Sequence, residues 1–552
     1  MKKKNCVITL IFIIILGTFL RLYGIKWGLT TDRYFHGHSY HPDEQLVLES
    51  LRGMNPSKLD FKPRGVTMWS KGTLVVYTTG IAIKLGSILN LLEYKNDYSF
   101  YKENPLELAK LYLAGRLVSV LFGILSIVLL FIITKKYFNQ STGLLTSFIF
   151  AIVPVHVVNC HYLSTDAMMC FWVLIVFFLS LKILESDKIV LYILSGLFVG
   201  ISAATKYNSS ITLILPISAH IIKEIDKRNF NFFRLFKINI LITICSALLG
   251  FIIVNPYSII SFSDFKNGLL FSADVLTRPM VTPDTFPNQP TILFYITNAL
   301  IFGTGPLLFM LFIAGIIYSL VRLDKKQLII FIWLLVWLII LSQTNWKLLR
   351  WTIPMIPFLC ILSAKLIIDI LNIAKRTYKI LTIVIVIFIF VNTILYSFAY
   401  VKLMSEKDVR DISSEWIEKN IPANSKIGLP VLTFAWDAGI LQMLCWYNKT
   451  EPFFKNITLY NLVILDESVE KLKLLKPDYI IFSDFYSYPL IIENRRYHEH
   501  NKLEFLTAVI NYYNLIMKVE KKPKKYGFYP VASFYPHDWR YVCPSIYIYK
   551  RK

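Results

Sequence analysis

Long apolar segments separated by short polar loops recur along most of this chain. Eleven of them are long enough to cross or nearly cross a bilayer: 7–23, 112–134, 142–159, 166–184, 189–204, 208–222, 237–254, 292–320, 327–343, 350–371 and 379–400. A membrane-spanning helix needs about 20 predominantly apolar residues. The pattern therefore predicts a polytopic α-helical membrane domain over residues 1–400.

Basic residues occur in the loops at alternate ends of these segments. The cytoplasmic loops predicted from a cytoplasmic N-terminus contain Lys135/Lys136, Lys188, Lys223/Lys227/Arg228/Arg234, Arg322/Lys325/Lys326 and Lys375/Arg376/Lys379. This asymmetry is the positive-inside rule. The MKKKN start followed by an apolar run is interpreted as a retained anchor, because no small-x-small cleavage site follows it. With an odd number of spans, residues 401–552 are expected outside the cell.

Residues 74–92 are apolar, but a span there would turn every later basic loop outward. They are therefore predicted to form an interfacial amphipathic helix with Lys84 on its wet face. Residues 24–111 then form a large first outer loop. The proline-rich outer loop 255–291 is expected to be an ordered, irregular flap.

The C-terminal residues 401–552 have a different pattern. Short strands are predicted at 426–429, 461–465, 478–482 and 545–549, with helices at 415–421 and 468–475. Strands alternating with helices indicate a small extracytoplasmic α/β domain.

Composition supports a membrane protein. The 552 residues are 55% hydrophobic and carry a formal net charge of +23, and the mean hydropathy is +0.52. Because the basic residues follow the membrane topology, nucleic acid is not expected as a partner. The seven cysteines show no CxxC or Cys/His spacing, and whether Cys445 and Cys543 pair stays open.

Five polar elements are predicted to meet at the outer surface: HPDE (41–44), HYLSTD (161–166), TKYN (205–208), the loop 255–291 and NWKLLRW (345–351). Lys206, Lys347 and Arg350 break the positive-inside bias there. An anionic group such as a phosphate would explain them, although single cations can also extend toward lipid headgroups.

Asp43 and Glu44 form the most distinctive pair of carboxylates. One of them could accept a proton from a hydroxyl nucleophile, while the alternative is that Asp43 caps the helix beginning at Glu44. Asp166 opens the fourth span and has the same two readings. His161 is near enough to Asp166 in sequence to line a site.

Three histidines precede or begin the HPDE element. His36, His38 and His41 with Asp43 approach the composition of a metal site, but their spacing matches no strong template. A cofactor is not required, and a divalent metal stays open.

These elements, in their order and sidedness, resemble the GT-C class of membrane glycosyltransferases, specifically the protein O-mannosyltransferase and aminoarabinose transferase group. The resemblance covers nearly the whole chain and includes Thr165-Asp166, GLFVGISAATKYNSSI (196–211), Asn255-Pro256 and RWTIPMIPFL (350–359). The C-terminal EWIEKNIPANSKIG and KPDYIIFSD segments look like the small outer domain of prokaryotic members.

The resemblance implies transfer of a sugar from a polyprenyl-phosphate donor to an acceptor on the outer face, usually with inversion. It implies Asp43 as general base and Glu44 as the neighbour that shapes the site. Asp166, with His161 and His41, would orient acceptor or donor, and Lys206, Arg350 and Lys347 would bind the donor phosphate. The acceptor stays open among glycan, lipid and protein, and the MIR module of eukaryotic protein mannosyltransferases has no visible counterpart.

The alternative is a secondary transporter or lipid-carrier flippase, since short interrupted spans are typical of transporters. Against it, the polar residues gather at one membrane surface and no repeat appears. A multi-pass protein of the plasma (inner) membrane, in contact with lipid, is expected in either case.

Overall fold

Long helices dominate the first 405 residues of the computed structural model. It describes residues 3–31, 39–64, 72–227, 238–277, 289–430, 460–484, 500–525, 529–530 and 535–552. The α-helices of this part are α1 Lys3–Leu22, α2 Glu44–Leu51, α3 Leu74–Ile88, α4 Tyr98–Glu103, α5 Pro105–Tyr137, α6 Gln140–Ile152, α7 Pro154–Asn159, α8 Thr165–Glu185, α9 Ile189–Thr205, α10 Ile214–Ile225, α11 Ile238–Val254, α12 Tyr257–Ile260, α13 Phe262–Thr277, α14 Thr291–Phe294, α15 Leu300–Thr304, α16 Pro306–Val321, α17 Lys325–Ser342, α18 Ile356–Ile373 and α19 Arg376–Ser405.

Six helices among the described residues are long and apolar enough to cross a membrane: Lys4–Leu22, Pro105–Tyr137, Thr165–Glu185, Lys325–Ser342, Leu349–Ile373 and Arg376–Asn420. Further apolar helices are shorter, so the total of eleven spans stays a prediction. Segment 142–159 is interrupted because Pro154 begins a new helix, α7. Segment 292–320 contains a π-helical stretch, Tyr295–Ala299, and breaks at Gly305, whose φ is 84°.

Basic residues of the predicted cytoplasmic loops contact residues of neighbouring loops. Lys223 lies 3.0 Å from Asp187, and Lys136 lies 3.6 Å from Glu185. Lys326 Nζ donates to the Tyr137 carbonyl at 2.8 Å. These loops therefore share one end of the bundle, at the C-terminal end of α8.

Glycines set the position of α9 against α11. A Cβ at Gly200 would lie 2.1 Å from the Ala247 carbonyl oxygen, and one at Gly196 would lie 2.3 Å from the Thr243 carbonyl oxygen. Only residues without side chains allow so close an approach. The end of α9, which leads directly to Lys206, is fixed by this packing.

Two predictions for the outer loops can be compared with the structure. Residues 74–92 do contain a helix, α3, which buries Val75, Val76 and Ile83 and exposes Lys84; its position relative to a membrane stays a prediction. The irregular flap at 255–291 is wrong for residues 257–277, which form α12 and α13. The prolines lie before and after this interval, so none of them interrupts α12 or α13.

A five-stranded sheet forms the C-terminal region. It contains β1 Lys426–Leu429, β2 Asn461–Ile464, β3 Tyr479–Ser483, β4 Tyr513–Glu520 and β7 Ser545–Arg551, with a separate hairpin of β5 Lys524–Lys525 and β6 Tyr529–Pro530. The order is β2-β1-β3-β7-β4. β1 is parallel to β2 and β3, while β7 is antiparallel to β3 and β4. The four predicted strands are confirmed, and β4 was not predicted.

Helices cover both faces of this sheet. α20 (Val409–Asn420) packs on one face with Ile481, and α21 (Val469–Leu475) and α22 (His500–Tyr512) pack on the other with Ile480 and Phe482. Alternate β3 side chains thus point to opposite faces, as the strand period of two requires. The structure has a C-terminal α/β domain beside a helical membrane domain.

Candidate functional site

The HPDE element turns directly into α2, and its two carboxylates point in different directions. Asp43 occupies the N-cap position of α2, but its side chain makes no capping hydrogen bond. Asp43 Oδ2 instead lies 2.8 Å from Arg350 Nη2. The capping alternative is therefore wrong for the Asp43 side chain, which the fold directs toward a cation.

Arg350 belongs to a 3₁₀ helix, Leu349–Met355, that precedes α18. The side chains of Asp43 and Arg350 are 28% and 12% exposed. This is a shielded ion pair with an open side, rather than a fully buried one. The pair places the Arg350 guanidinium directly beside the Asp43 carboxylate.

Asp166 forms a second ion pair of the same kind. It lies in the first turn of α8, whose N-cap is Ser164, and its Oδ1 is 2.8 Å from Lys206 Nζ. Lys206 Nζ also lies 5.8 Å from the centre of the Trp351 ring. Because Arg350 and Trp351 are consecutive, the same short helix contacts both ion pairs.

His41 packs between aromatic rings next to the first pair. Its ring stacks on Tyr162 at 4.2 Å and meets Tyr541 edge-on at 5.2 Å. His41 Nδ1 accepts from the Asp43 backbone N–H at 3.3 Å, and Nε2 lies 3.4 Å from Arg350 Nη1. His41 thus supports the backbone at Asp43 and borders Arg350.

Glu44 faces the interior, where Arg116 of α5 binds both oxygens of its carboxylate. Arg116 Nε and Nη2 donate to the two Glu44 oxygens at 2.8 Å each, and both side chains are 0% exposed. The Leu163 N–H donates to Glu44 Oε1 at 2.6 Å. Burial alone would raise the pKa of Glu44, but the charge and hydrogen bonds of Arg116 hold that pKa below its usual value.

Arg116 also donates to the backbone of the first polar loop. Its Nη1 lies 2.6 Å from the Ile25 carbonyl oxygen and 2.7 Å from that of Trp27. One guanidinium therefore joins α5, the start of α2 and residues 25–27. The Glu44 carboxylate is therefore held inside the protein, inaccessible to a substrate.

Two further predicted site residues, His161 and Lys347, are buried. His161 is fully buried, with Nδ1 3.0 Å from the Val157 carbonyl oxygen and Nε2 2.9 Å from that of Tyr23. Its ring joins two backbone segments and does not point at Asp166. Lys347 is buried just before the 3₁₀ helix, at 5% exposure.

The metal hypothesis falls partly outside the described residues, because His36 and His38 lie there. Within the part of the chain that the structure describes, no group of three or more His, Cys, Asp or Glu side chains is arranged to hold a metal ion. Cys445 also lies outside that part, so its pairing stays untested.

A turn of the C-terminal domain, His537–Val542, completes the site, and sequence reasoning missed it. Asp538 accepts from the backbone N–H of Leu349 at 3.1 Å and of Arg350 at 3.0 Å. Trp539 packs on Tyr400 of α19, with ring centres 4.1 Å apart. The C-terminal domain therefore contacts both the 3₁₀ helix and the bundle.

A buried ion pair fixes the base of this contact. Arg410 binds Asp408 through Nε and Nη2 at 2.7 and 2.9 Å, and it also donates to the Tyr541 carbonyl oxygen at 2.7 Å. Asp408 accepts from Trp27 Nε1 at 2.9 Å. The first polar loop, α20 and the His537–Val542 turn are thereby held together.

The arrangement presents two carboxylates and two cations on rigid elements, at the end of the bundle opposite the basic loops. A carboxylate with an open side can accept a proton from a bound hydroxyl. Guanidinium and ammonium groups can stabilise charge that develops on a phosphate oxygen. Acid–base chemistry on an anionic substrate is what these groups can perform.

Part of this sequence matches a known family, and the fold as a whole is similar to solved structures. Residues 109–260, from α5 to α12, match the family model described as dolichyl-phosphate-mannose-protein mannosyltransferase. No curated protein matches this sequence. The match covers Asp166 and Lys206 but neither Asp43 nor Arg350.

Two solved structures share the architecture. ArnT from Cupriavidus metallidurans, bound to undecaprenyl phosphate, is 13% identical with a TM-score of 0.50, over 99% of this chain and 98% of that one. The oligosaccharyltransferase AglB from Archaeoglobus fulgidus, in complex with an inhibitory peptide and a dolichol-phosphate, is 12% identical with a TM-score of 0.50, over 93% of this chain and 73% of that one. The chain is a multi-pass membrane protein with the GT-C fold of membrane glycosyltransferases.

Proposed function

We propose that this protein transfers a sugar from a polyprenyl-phosphate donor to an acceptor hydroxyl at the extracytoplasmic surface of the plasma membrane. The observation that carries the proposal is the pair of adjacent, partly exposed ion pairs, Asp43–Arg350 and Asp166–Lys206. They unite four polar elements that are far apart in sequence. The bound undecaprenyl phosphate of ArnT and dolichol-phosphate of AglB support a lipid-phosphate donor.

In this reaction the acceptor oxygen attacks the anomeric carbon from the face opposite the phosphate, which inverts that centre. The new carbon–oxygen bond forms as the bond from the anomeric carbon to the phosphate oxygen breaks. Asp43 accepts the hydroxyl proton, and the polyprenyl phosphate departs with one more negative charge. Lys206 and Arg350 stabilise that charge.

Arg350 and Lys206 each already bind a carboxylate, so the phosphate of the sugar donor must share each cation with that carboxylate. A guanidinium carries five N–H donors in a fixed plane, and Asp43 takes Nη2 of Arg350. An ammonium has three donors, and Asp166 takes one from Lys206. The carboxylates therefore orient the cations without exhausting their capacity for phosphate.

Orientation in the membrane follows the charge distribution. The basic loops that meet at the far end of α8 would face the cytoplasm, together with the N-terminus. The site and the C-terminal domain would then lie outside. A carrier lipid could present its phosphate there while its isoprenoid tail stays in the bilayer.

The test is release of polyprenyl phosphate from polyprenyl-phosphate sugars by the purified protein in lipid, with Asp43→Asn as the critical variant. General-base catalysis contributes about 10²–10⁴-fold, and the variant should lose that much turnover while remaining folded. Asp369→Asn is the matched control, because Asp369 pairs with Lys365 at 2.8 Å and is 23% exposed. Asp369 lies 13 residues beyond the first residue of α18, which is about 20 Å along the helix axis.

Native turnover in the Asp43→Asn variant would overturn the assignment of the base. No release by the native protein with any polyprenyl-phosphate sugar, combined with uptake of a solute into proteoliposomes, would favour a transporter instead.

A further inference from the structure

The His537–Val542 turn belongs to the C-terminal domain, yet its Asp538 carboxylate is bound by the membrane domain. Both oxygens are used: Oδ1 accepts from the Leu349 N–H and Oδ2 from the Arg350 N–H. These two residues are the first of the 3₁₀ helix, whose leading N–H groups have no acceptors within the helix. Asp538, although distant in sequence, therefore caps the 3₁₀ helix that carries Arg350.

Burial of the Asp538 carboxylate in this position is electrostatically unfavourable. It is 5% exposed, and burial raises its pKa, against the opposing effects of Arg350 and the two backbone N–H groups. A buried carboxylate is costly unless hydrogen-bonded partners satisfy it. A structural linker between the domains would not need a charged group here, since Trp539 on Tyr400 and the Trp27–Asp408 hydrogen bond already join them.

The same turn also borders the Arg350 side chain. The ring of Tyr541 meets His41 at 5.2 Å, and Tyr541 Oη lies 3.2 Å from His537 Nε2. His41 Nε2 in turn lies 3.4 Å from Arg350 Nη1. Backbone and side chain of Arg350 are thus both held by contacts that depend on the C-terminal domain.

We propose that Asp538 is a positioning residue, which fixes the Arg350 segment so that the Arg350 guanidinium can bind the donor phosphate. The proposal rests on the function proposed above. It predicts that the C-terminal domain contributes to lipid-phosphate binding through two backbone hydrogen bonds, without contacting the lipid. Its effect should therefore vanish when Arg350 is absent.

The experiment measures the Kd of the full-length protein for undecaprenyl phosphate, in a double-mutant cycle of Asp538→Ala and Arg350→Ala. Asp538→Ala should raise the Kd about tenfold, a typical cost of losing two charge-assisted hydrogen bonds. In the Arg350→Ala background the same change should have no further effect. Asp538→Asn keeps one acceptor oxygen and should lie between Ala and the native protein.

Asp478→Ala is the control for a loosened C-terminal domain. Asp478 Oδ2 accepts from the Lys426 N–H at 3.0 Å. It precedes β3 at the end that pairs with Lys550, whereas the His537–Val542 turn leads into the other end of β7, so this variant should lower the unfolding temperature and leave the Kd unchanged. An effect of Asp538 on binding that does not pass through Arg350 would instead raise the Kd by the same factor in both backgrounds.

The outcomes separate the two proposals. If the native protein binds and Arg350→Ala weakens binding, but Asp538→Ala does not, the role of Asp538 is overturned while the proposed function stands. An equal loss from Asp538→Ala in the two backgrounds overturns it as well. If the native protein does not bind undecaprenyl phosphate, the proposed function fails and this inference fails with it.

Discussion

Asp43 and Glu44 are neighbours in sequence and lie in opposite environments. Glu44 is fully buried, with both oxygens bound to Arg116. Asp43 is 28% exposed and approaches Arg350 from a site with an open side. Because residue 43 precedes α2 and residue 44 begins it, the turn sends one carboxylate inward and the other toward the site.

This difference separates structural from chemical roles within two residues. A buried, doubly bonded ion pair fixes backbone geometry, but it cannot exchange partners cheaply. A partly exposed pair gains less from its partner and can share it with a ligand. In the second ion pair, Asp166 is 4% exposed and Lys206 is 20% exposed. Because its cation is partly exposed, this pair belongs to the second kind.

The largest effect that tests this contrast is expected from Glu44→Gln. The change leaves the Arg116 charge buried without a counter-charge, and breaking such a pair costs about 3–5 kcal/mol. Thermal unfolding of the purified protein should show a large fall in Tm. Asp43→Asn should change stability by less than about 1 kcal/mol, since its pair is partly exposed.

Equal stability of the Glu44→Gln variant and the native protein would contradict the assignment of Glu44 to the framework. Retention of full stability together with loss of turnover would instead place Glu44 in the chemistry.

Lys206→Gln should have a smaller, kinetic effect. Gln can still donate a hydrogen bond to Asp166 but lacks the charge for a phosphate, so the KM for the donor should rise about tenfold. Lys365→Gln is the matched control, because Lys365 Nζ also lies 2.8 Å from a carboxylate, that of Asp369. Its KM should equal that of the native protein, and equal KM values for both variants would exclude a phosphate-binding role for Lys206.

Much of the fold followed from local patterns. The apolar runs predicted the long helices, and the strands at 426–429, 461–465, 478–482 and 545–549 are confirmed. Their apolar residues are mostly buried in the first, third and fourth of these strands and half-buried in the second. β4 escaped prediction because most of its residues, polar and apolar alike, are exposed, and its sequence, YNLIMKVE, shows no sustained alternation.

The site was predictable only in part. Charges that broke the positive-inside rule pointed to Lys206 and Arg350, yet their pairing with Asp166 and Asp43 depends on tertiary structure. Arg116 could have been found, because a charged residue within an apolar segment marks a buried partner. No spacing in the sequence connects Asp538 to residue 350, since a separately folded domain brings them together.

The smallest effect concerns acid pH and isolates the Glu44–Arg116 pair. The pKa of Glu44 is held below its usual value of 4.5 in the folded protein, because the Arg116 charge outweighs the effect of burial. A lowered folded pKa contributes stability that is present above the unfolded pKa and is lost as pH falls through the folded pKa. The Tm of the native protein should therefore approach that of Glu44→Gln as the pH is lowered from 6 to below 4.5. Other carboxylates titrate equally in both proteins and cancel in the difference, so a gap in Tm that stays constant throughout the titration of Glu44 would show that the gap does not arise from the charge of this carboxylate.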